Sequence, residues 1–330
     1  MRAVIPVAGV GTRLRPHTYA LPKVLLNVAG KPILSHIIDS LIQHSIVDYT
    51  IITGYKGDQV KDFMLQKYPN LNIDFVEQSE RLGLGHAIWT GKDTYKDDEP
   101  IIIILGDTIF DVDLTPVLSI NHNAIAVKKI EDPRRFGVVV VNEETKEIEK
   151  LVEKPQVPIS NLAIVGIYCI QNTKKLIDSL QYLMDNNIRT KNEFQLTDAL
   201  QNMLENDEKF YTFNVEGWYD CGKAETLLET NKFLLEKNYS NFNKFSDKNV
   251  IIPPCFISEN AIVENSIIGP YASVAENAVV KNSIINNSII SNNAKVTKIL
   301  LRESIIGDEA EIAGTYNKLN IGNASIIELE

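Results

Sequence analysis

Cysteine is scarce in this chain: Cys169, Cys221 and Cys255 are the three in 330 residues, odd in number and far apart. They form neither a disulfide framework nor a C-x-x-C metal site, which suits a reducing compartment. Histidine is scarce and lopsided. His17, His36, His44, His86 and His122 are all of it, so chemistry that needs a histidine base is excluded beyond position 122. Cationic excess is missing as well. With 33 Lys and Arg against 43 Asp and Glu the net charge is −10, and no general basic surface exists for nucleic acid or an anionic membrane. Small anionic ligands are not excluded, because a few local cations and backbone N–H groups suffice to hold them. No apolar run reaches the ~18 residues of a membrane span. The apolar stretch from Ala3 to Val10 is too short for a signal peptide and no small-residue cleavage site follows it. A cytoplasmic protein is expected. Gly-Lys-Ser/Thr occurs nowhere, which removes the P-loop, and Leu14 at the sixth position breaks G-x-G-x-x-G.

What is present is ordinary globular composition, 44% hydrophobic and 23% charged, long enough for a large core and two domains. Strand and helix patterns alternate over the first part, as in parallel α/β domains. Arg2 to Ala8 reads as a first strand. Pro32 suits a first helical position, with Ile33, Ile37, Ile38, Leu41 and Ile42 on one face behind it. Strands are expected at 49–53 and 73–76, and a helix from about Gly85 to Tyr95. The apolar run Ile101 to Leu105 has the mark of a strand buried on both faces. Residues 138–141 and 148–152 read as a hairpin, and helices follow near 174–186, 195–205 and 223–236. Residues 1–237 therefore form one domain, and the polar stretch 238–250 a linker.

Residues 251–330 are a repeat. Glu259-Asn-Ala-Ile-Val recurs from Glu276, Asn292 and Asp308, at intervals of 17, 16 and 16. A second phase, Ser-Ile-Ile preceded by Asn265, Asn282, Asn287 and Glu303, runs beside it. Short β-branched pairs separated by Asn, Gly or a small residue predict a parallel β-helix.

The chemistry-bearing segment opens at Gly9-Val-Gly11-Thr12-Arg13-Leu14-Arg15-Pro16. Glycines after a first strand let backbone approach a phosphate, although a tight turn with solvated arginines would read the same. Continued through Pro22-Lys23 and Lys31-Pro32, the segment resembles the signature of the sugar-1-phosphate nucleotidylyltransferases. Further stretches resemble that family in the same order: Gln78-Ser-Glu-Arg-Leu-Gly83-Leu-Gly-His-Ala, Leu105-Gly-Asp107, Phe136-Gly137-Val, Glu153-Lys154-Pro, Asn161-Leu-Ala-Ile-Val-Gly166, Glu193-Phe-Gln-Leu-Thr-Asp198 and Trp218-Tyr-Asp220-Cys-Gly.

The resemblance implies a fold class: α/β, a Rossmann-like, doubly wound, mostly parallel sheet of the nucleotide-diphospho-sugar transferase type, followed by a left-handed β-helix. It implies Mg²⁺ held by Asp107 and Asp220. It assigns nucleotide binding to Ala8, Gly9, Gly11, Thr12, Arg13, Lys23, Gln78 and Gly83, and sugar-phosphate binding to Gly137, Glu153, Lys154, Asn161 and Glu193. Arg13, Lys23 and Lys154 are the implied catalytic cations. The implied reaction joins dTTP or UTP to a sugar 1-phosphate, in the first instance glucose 1-phosphate, and releases pyrophosphate. Partners are those two substrates and further copies of the chain in a homo-oligomer, with neither nucleic acid nor membrane. Mannose-1-phosphate guanylyl transfer and a non-catalytic sugar-nucleotide sensor are the alternatives. Asn192 stands where relatives often have Gly. His86 is read as a helix-start or structural residue, and Trp218 as core. The repeat, without histidine, is expected to pack against the catalytic domain or another subunit and to carry no chemistry.

Overall fold

A computed structural model describes residues 1–96, 99–238 and 248–315. Positions 239–247 of the expected linker and positions 316–330 of the repeat lie outside the described residues. Two compact units divide the chain: Met1–Leu26 with Lys31–Thr230, and Asn27–Gly30 with the described residues from Asn231 onward.

The first unit is built on one mixed sheet. Strands β1 (Arg2–Pro6), β2 (Asp48–Thr53), β3 (Asn72–Glu77) and β4 (Ile101–Ile104) make its parallel half, in the order β4-β1-β2-β3. β5 (Thr108–Asp111) leaves the sheet, and β6 (Asn123–Lys129), β7 (Gly137–Val141), β8 (Ile148–Glu153) and β9 (Leu162–Ile170) return to it. β9 runs antiparallel to β4, β6 and β7, and β7 with β8 forms the expected hairpin. β10 (Phe210–Asn214) lies parallel to β6, while β11 (Gly217–Asp220) pairs antiparallel with β5 in a separate ribbon.

The four isoleucines of β4 explain why helices cover both faces. All are buried, and alternate side chains point to opposite faces of a strand. Ile102 and Ile104 join the core that takes Leu34, Ile37, Ile38 and Leu41 of α1 (Ile33–Gln43) and Val60 and Met64 of α2 (Gly57–Lys67). Ile101 and Ile103 join the other, with α3 (Leu84–Thr90), α4 (Thr173–Asp185) and α5 (Leu196–Glu205). A last helix, α6 (Ala224–Asn238), follows β11. Two details differ from the expectation: Pro32 is the N-cap of α1, one position before the helix, and Ile42 is 40% exposed because it sits beyond the apolar stripe. No helix among the described residues is long and apolar enough to cross a membrane.

Among its described residues the second unit carries three four-stranded parallel ladders, a winding consistent with a left-handed β-helix. Ile262, Val279, Lys295 and Glu311 pair in sequence, reproducing the 17, 16 and 16 intervals. The second phase is in fact two faces. Ile267 pairs with Ile284 and then Leu300, whereas Ile289 pairs with Ser273 and Ile305. The reason is steric: the asparagines at 282 and 287 occupy successive corners and cannot share a sheet. Asn265, Asn277, Asn282, Asn287 and Asn293 all have positive φ, a conformation Asn tolerates better than other residues with a Cβ. Ala272, Ala278 and Ala294 fill the narrow interior with Ile268, Val280 and Val296.

Candidate active site

The carboxyl ends of β1, β2 and β4 bring their loops together, since the Val7 N–H donates to the Ile52 carbonyl and the Gly106 N–H to the Pro6 carbonyl. Ligands of open α/β sheets bind at such ends. Two cavities lie here, of about 560 and 510 Å³, each the size of a small-molecule site. The first is lined by Ala8, Gly9, Arg13, Lys23, Gln78, Arg81, Gly83, Asp107 and Glu193, among others. Gly137, Glu153, Lys154 and Asp220 line the second, as do Arg13, Asp107 and Glu193. Those last three belong to both walls.

After β1 the chain passes Gly11, at φ 67°, into a short 3₁₀ turn, Thr12–Leu14. Leu14 is buried and Arg13 is exposed beside it. Gly11 and Thr12 do not line either cavity; Gly11 instead takes the Thr18 hydroxyl on its carbonyl at 2.9 Å. Lys23 is buried, and its Nζ lies 2.8 Å from Asp107 Oδ2. Burial alone would raise the Asp107 pKa, but the Lys23 ammonium and hydrogen bonds from Lys23 and Thr108 outweigh it and hold the carboxyl below its usual range.

Asp220 approaches Asp107 through the backbone. β11 pairs Asp220 with Thr108, and the Cys221 N–H donates to the Asp107 carbonyl at 3.0 Å. A Cβ at Gly222 would stand 2.7 Å from Asp220 Oδ1 and 2.9 Å from Arg13 Nη2, so this glycine leaves room for both side chains. Two carboxylates on one cavity wall are a fitting donor set for Mg²⁺, which takes one or two protein carboxylates and completes its shell with water and phosphate. No group of three or more His, Cys, Asp or Glu that could enclose a metal is found among the described residues.

In the second cavity, Thr197 Oγ1 donates to Glu153 Oε2 at 2.7 Å and Lys154 Nζ stands 3.1 Å from Glu153 Oε1. Glu193 accepts from the Gln195 amide at 2.8 Å. Asn161 is exposed and lines neither cavity; its carbonyl accepts the Ile130 N–H. Asn192 has φ 66°, the left-handed region where Gly is easiest and Asn next. Trp218, expected in the core, packs partly buried against the first core and also lines the second cavity, where it meets the Phe136 ring edge-on, centroids 4.8 Å apart.

Gln78 is 6% exposed. Its amide nitrogen donates to the Gly83 carbonyl at 3.1 Å and lies 3.1 Å from His86 Nδ1. Gly83 has φ 116°, and a Cβ there would meet the Phe194 carbonyl oxygen at 2.5 Å. The Gly85 N–H donates to that same carbonyl, and the Phe194 N–H to Leu82, so the loops flanking the two cavities are stitched backbone to backbone. Arg81, Arg135 and Lys223 are lining cations that sequence reasoning missed, because nothing local separates them from solvated charges.

Residues 2–237 match the family described as Nucleotidyl transferase. The chain is 39% identical over 264 residues to the bifunctional protein GlmU of Methanocaldococcus jannaschii, covering 79% of this chain and 61% of that one. It thus spans about three fifths of the length of such relatives. It is also 31% identical to the UTP–glucose-1-phosphate uridylyltransferase AglF of Haloferax volcanii, over 72% of this chain and 98% of that one. Among solved structures it resembles UDP-glucose pyrophosphorylase complexed with UDP-glucose, with TM-score 0.62 and 26% identity over 72% of this chain and 99% of that one. A putative glucose-1-phosphate thymidylyltransferase from Bacillus anthracis gives 0.61 and 27%, over 74% and 98%.

Proposed function

The chain belongs to the nucleotidyl transferase family, and on that premise we propose that it joins UTP or dTTP to a sugar 1-phosphate of the glucose type, releasing pyrophosphate. The observation that carries this reading is the pair of cavities with Arg13, Asp107 and Glu193 in both walls. Two ligands held there would meet at that shared wall. The first cavity would take the nucleotide, with Arg13 and Lys23 on the triphosphate and Gln78 on the base. The second would take the sugar phosphate, with Lys154 on its phosphate and Glu153 and Glu193 on sugar hydroxyls.

In the proposed step an oxygen of the sugar phosphate bonds to the α-phosphorus as the bond to the bridging β-phosphate oxygen breaks. The attacking phosphate is already ionised at neutral pH, so no general base is required. Arg13 clamps phosphate oxygens bidentately as charge moves onto the leaving pyrophosphate. Lys154 orients the nucleophile, and most of the acceleration is positioning plus charge neutralisation. Mg²⁺, when bound at Asp107 and Asp220, would supply Lewis-acid neutralisation of phosphate charge. The repeat unit is proposed to carry no chemistry, and the cell compartment is proposed to be the cytoplasm.

Pyrophosphate release from a panel of nucleoside triphosphates and sugar 1-phosphates tests the proposal. UTP and dTTP are expected within about tenfold of each other, because they share the base edge assigned to Gln78 and the 5-methyl contact falls at the low end of the ~1–3 kcal/mol such a group is worth. ATP and GTP should be much poorer. A strong preference for GTP with mannose 1-phosphate would refute it, and absence of turnover with every pair would point to a sensor.

A further inference from the structure

His86 sits in α3 and touches neither phosphate-side cation nor carboxylate of the site, yet it holds the one amide that faces the first cavity. The amide nitrogen of Gln78 carries two hydrogens and its oxygen only lone pairs. The Gly83 carbonyl, 3.1 Å away, can only accept, so it takes one of those hydrogens. The second hydrogen then points at His86 Nδ1, also 3.1 Å away. A neutral imidazole with its proton on Nε2 accepts there; an imidazolium, a donor at both nitrogens, cannot. Both amide hydrogens are thereby spent inside the protein. Gln78 lines the cavity, and the group it has left to offer a ligand there is its oxygen, an acceptor.

We infer that His86 is a positioning residue for base selection: its Nδ1 lone pair locks Gln78 as an acceptor, which takes the ring N–H of uracil or thymine and turns away cytosine and adenine. Cytosine N3 and adenine N1 are themselves acceptors, and would set lone pair against lone pair. The inference rests on the pyrimidine nucleotide reading above and adds a pH switch to it. Protonation of His86 removes the acceptor, unlocks the amide and erases the discrimination.

The surroundings favour the neutral ring. Burial lowers the His86 pKa most. The Glu80 carboxylate and a backbone hydrogen bond with Glu80 oppose this, and Arg189 adds to it. Trp89 stacks on the ring with centroids 6.1 Å apart, and Lys92 lies over that indole at 3.9 Å. The switch therefore falls on the acid side of the ordinary histidine value.

The test is calorimetric binding of UTP and of CTP to the whole protein with Mg²⁺, from about pH 5.5 to about pH 8. The UTP-to-CTP affinity ratio is the readout, because phosphate titration is common to both and cancels. The ratio is expected to be flat at high pH and to fall as His86 protonates, approaching ~tenfold per pH unit. His86→Asn supplies a carbonyl oxygen near the Nδ1 position that does not titrate, and should keep the ratio while abolishing its pH dependence. His86→Leu supplies no acceptor and should show a ratio about tenfold lower at every pH. A wild-type ratio independent of pH, a ratio unchanged in His86→Leu, or a pH-dependent fall surviving in His86→Asn would overturn the inference. Failure of UTP and dTTP to bind at any pH would overturn the pyrimidine reading itself, a distinct result.

Discussion

Replacing Asp107 by Asn separates what this carboxylate does for the fold from what it does for turnover. Lys23 is 7% exposed and pairs with Asp107 at 2.8 Å, while the Asp107 side chain is 45% exposed. Removing the partner of a fully buried charge costs ~3–5 kcal/mol. Here solvent reaches the carboxylate, and the Asn oxygen still accepts from Lys23. The loss shrinks to an ion-paired hydrogen bond exchanged for one between an ammonium and a neutral amide oxygen, about 1–2 kcal/mol. In a unit of this size that lowers Tm by about 2–8 °C. Because Lys23 depresses the Asp107 pKa, the stabilisation is fully present above the unfolded carboxyl value and vanishes as pH falls through the lower folded one. The Tm gap between wild type and variant should therefore be constant near neutrality and close in acid. Turnover should fall much further, about 10²–10³-fold, the scale of losing one electrostatic partner of a reacting phosphate. Pyrophosphate release and scanning calorimetry on the same samples give both quantities. Turnover within tenfold of wild type would refute the placement of Asp107 in the reaction, and a Tm collapse that by itself accounts for lost turnover would refute the ledger.

Gly83→Ala forces a Cβ at φ 116° against the Phe194 carbonyl; it should destabilise by ~1–3 kcal/mol and weaken nucleotide binding, and a variant with wild-type Tm and UTP affinity would contradict the packing described. The repeat unit should not transfer acyl groups: incubation with acetyl-CoA and an amino-sugar phosphate should release no free thiol, since no histidine lies beyond His122, and steady release would show a second activity.

Periodicity made the parallel half of the sheet legible, because β1, β2 and β4 are short apolar runs and α1, α4 and α5 carry clear stripes. It failed at α2, where only Val60 and Met64 are buried and the stripe is too thin to register. β9 does not stand out as a strand in the sequence, because Gly166, at φ 95°, interrupts it where its register with β6 shifts. In the repeat, one tetrapeptide serves two corners, so pairing and not side-chain identity separates the faces. Residues that resembled a family motif were legible as a set, and most of them line the two cavities. The Gln78–His86 contact was not, because a loop closed by Gly83 brings together two polar side chains that look unremarkable in the chain. Asn161 lies in such a motif but outside both cavities, with its carbonyl accepting the Ile130 N–H.

The wall shared by the two cavities has a thermodynamic consequence. Arg13, Asp107 and Glu193 are all charged, and an occupant of either cavity alters the field and freedom of groups the other must use. If one ligand changes the affinity of its neighbour by some factor, the neighbour must change the first by the same factor. On the proposed reading the two pockets would be halves of a single linked equilibrium, and a substitution at any of these three residues would be expected to change the binding of both ligands.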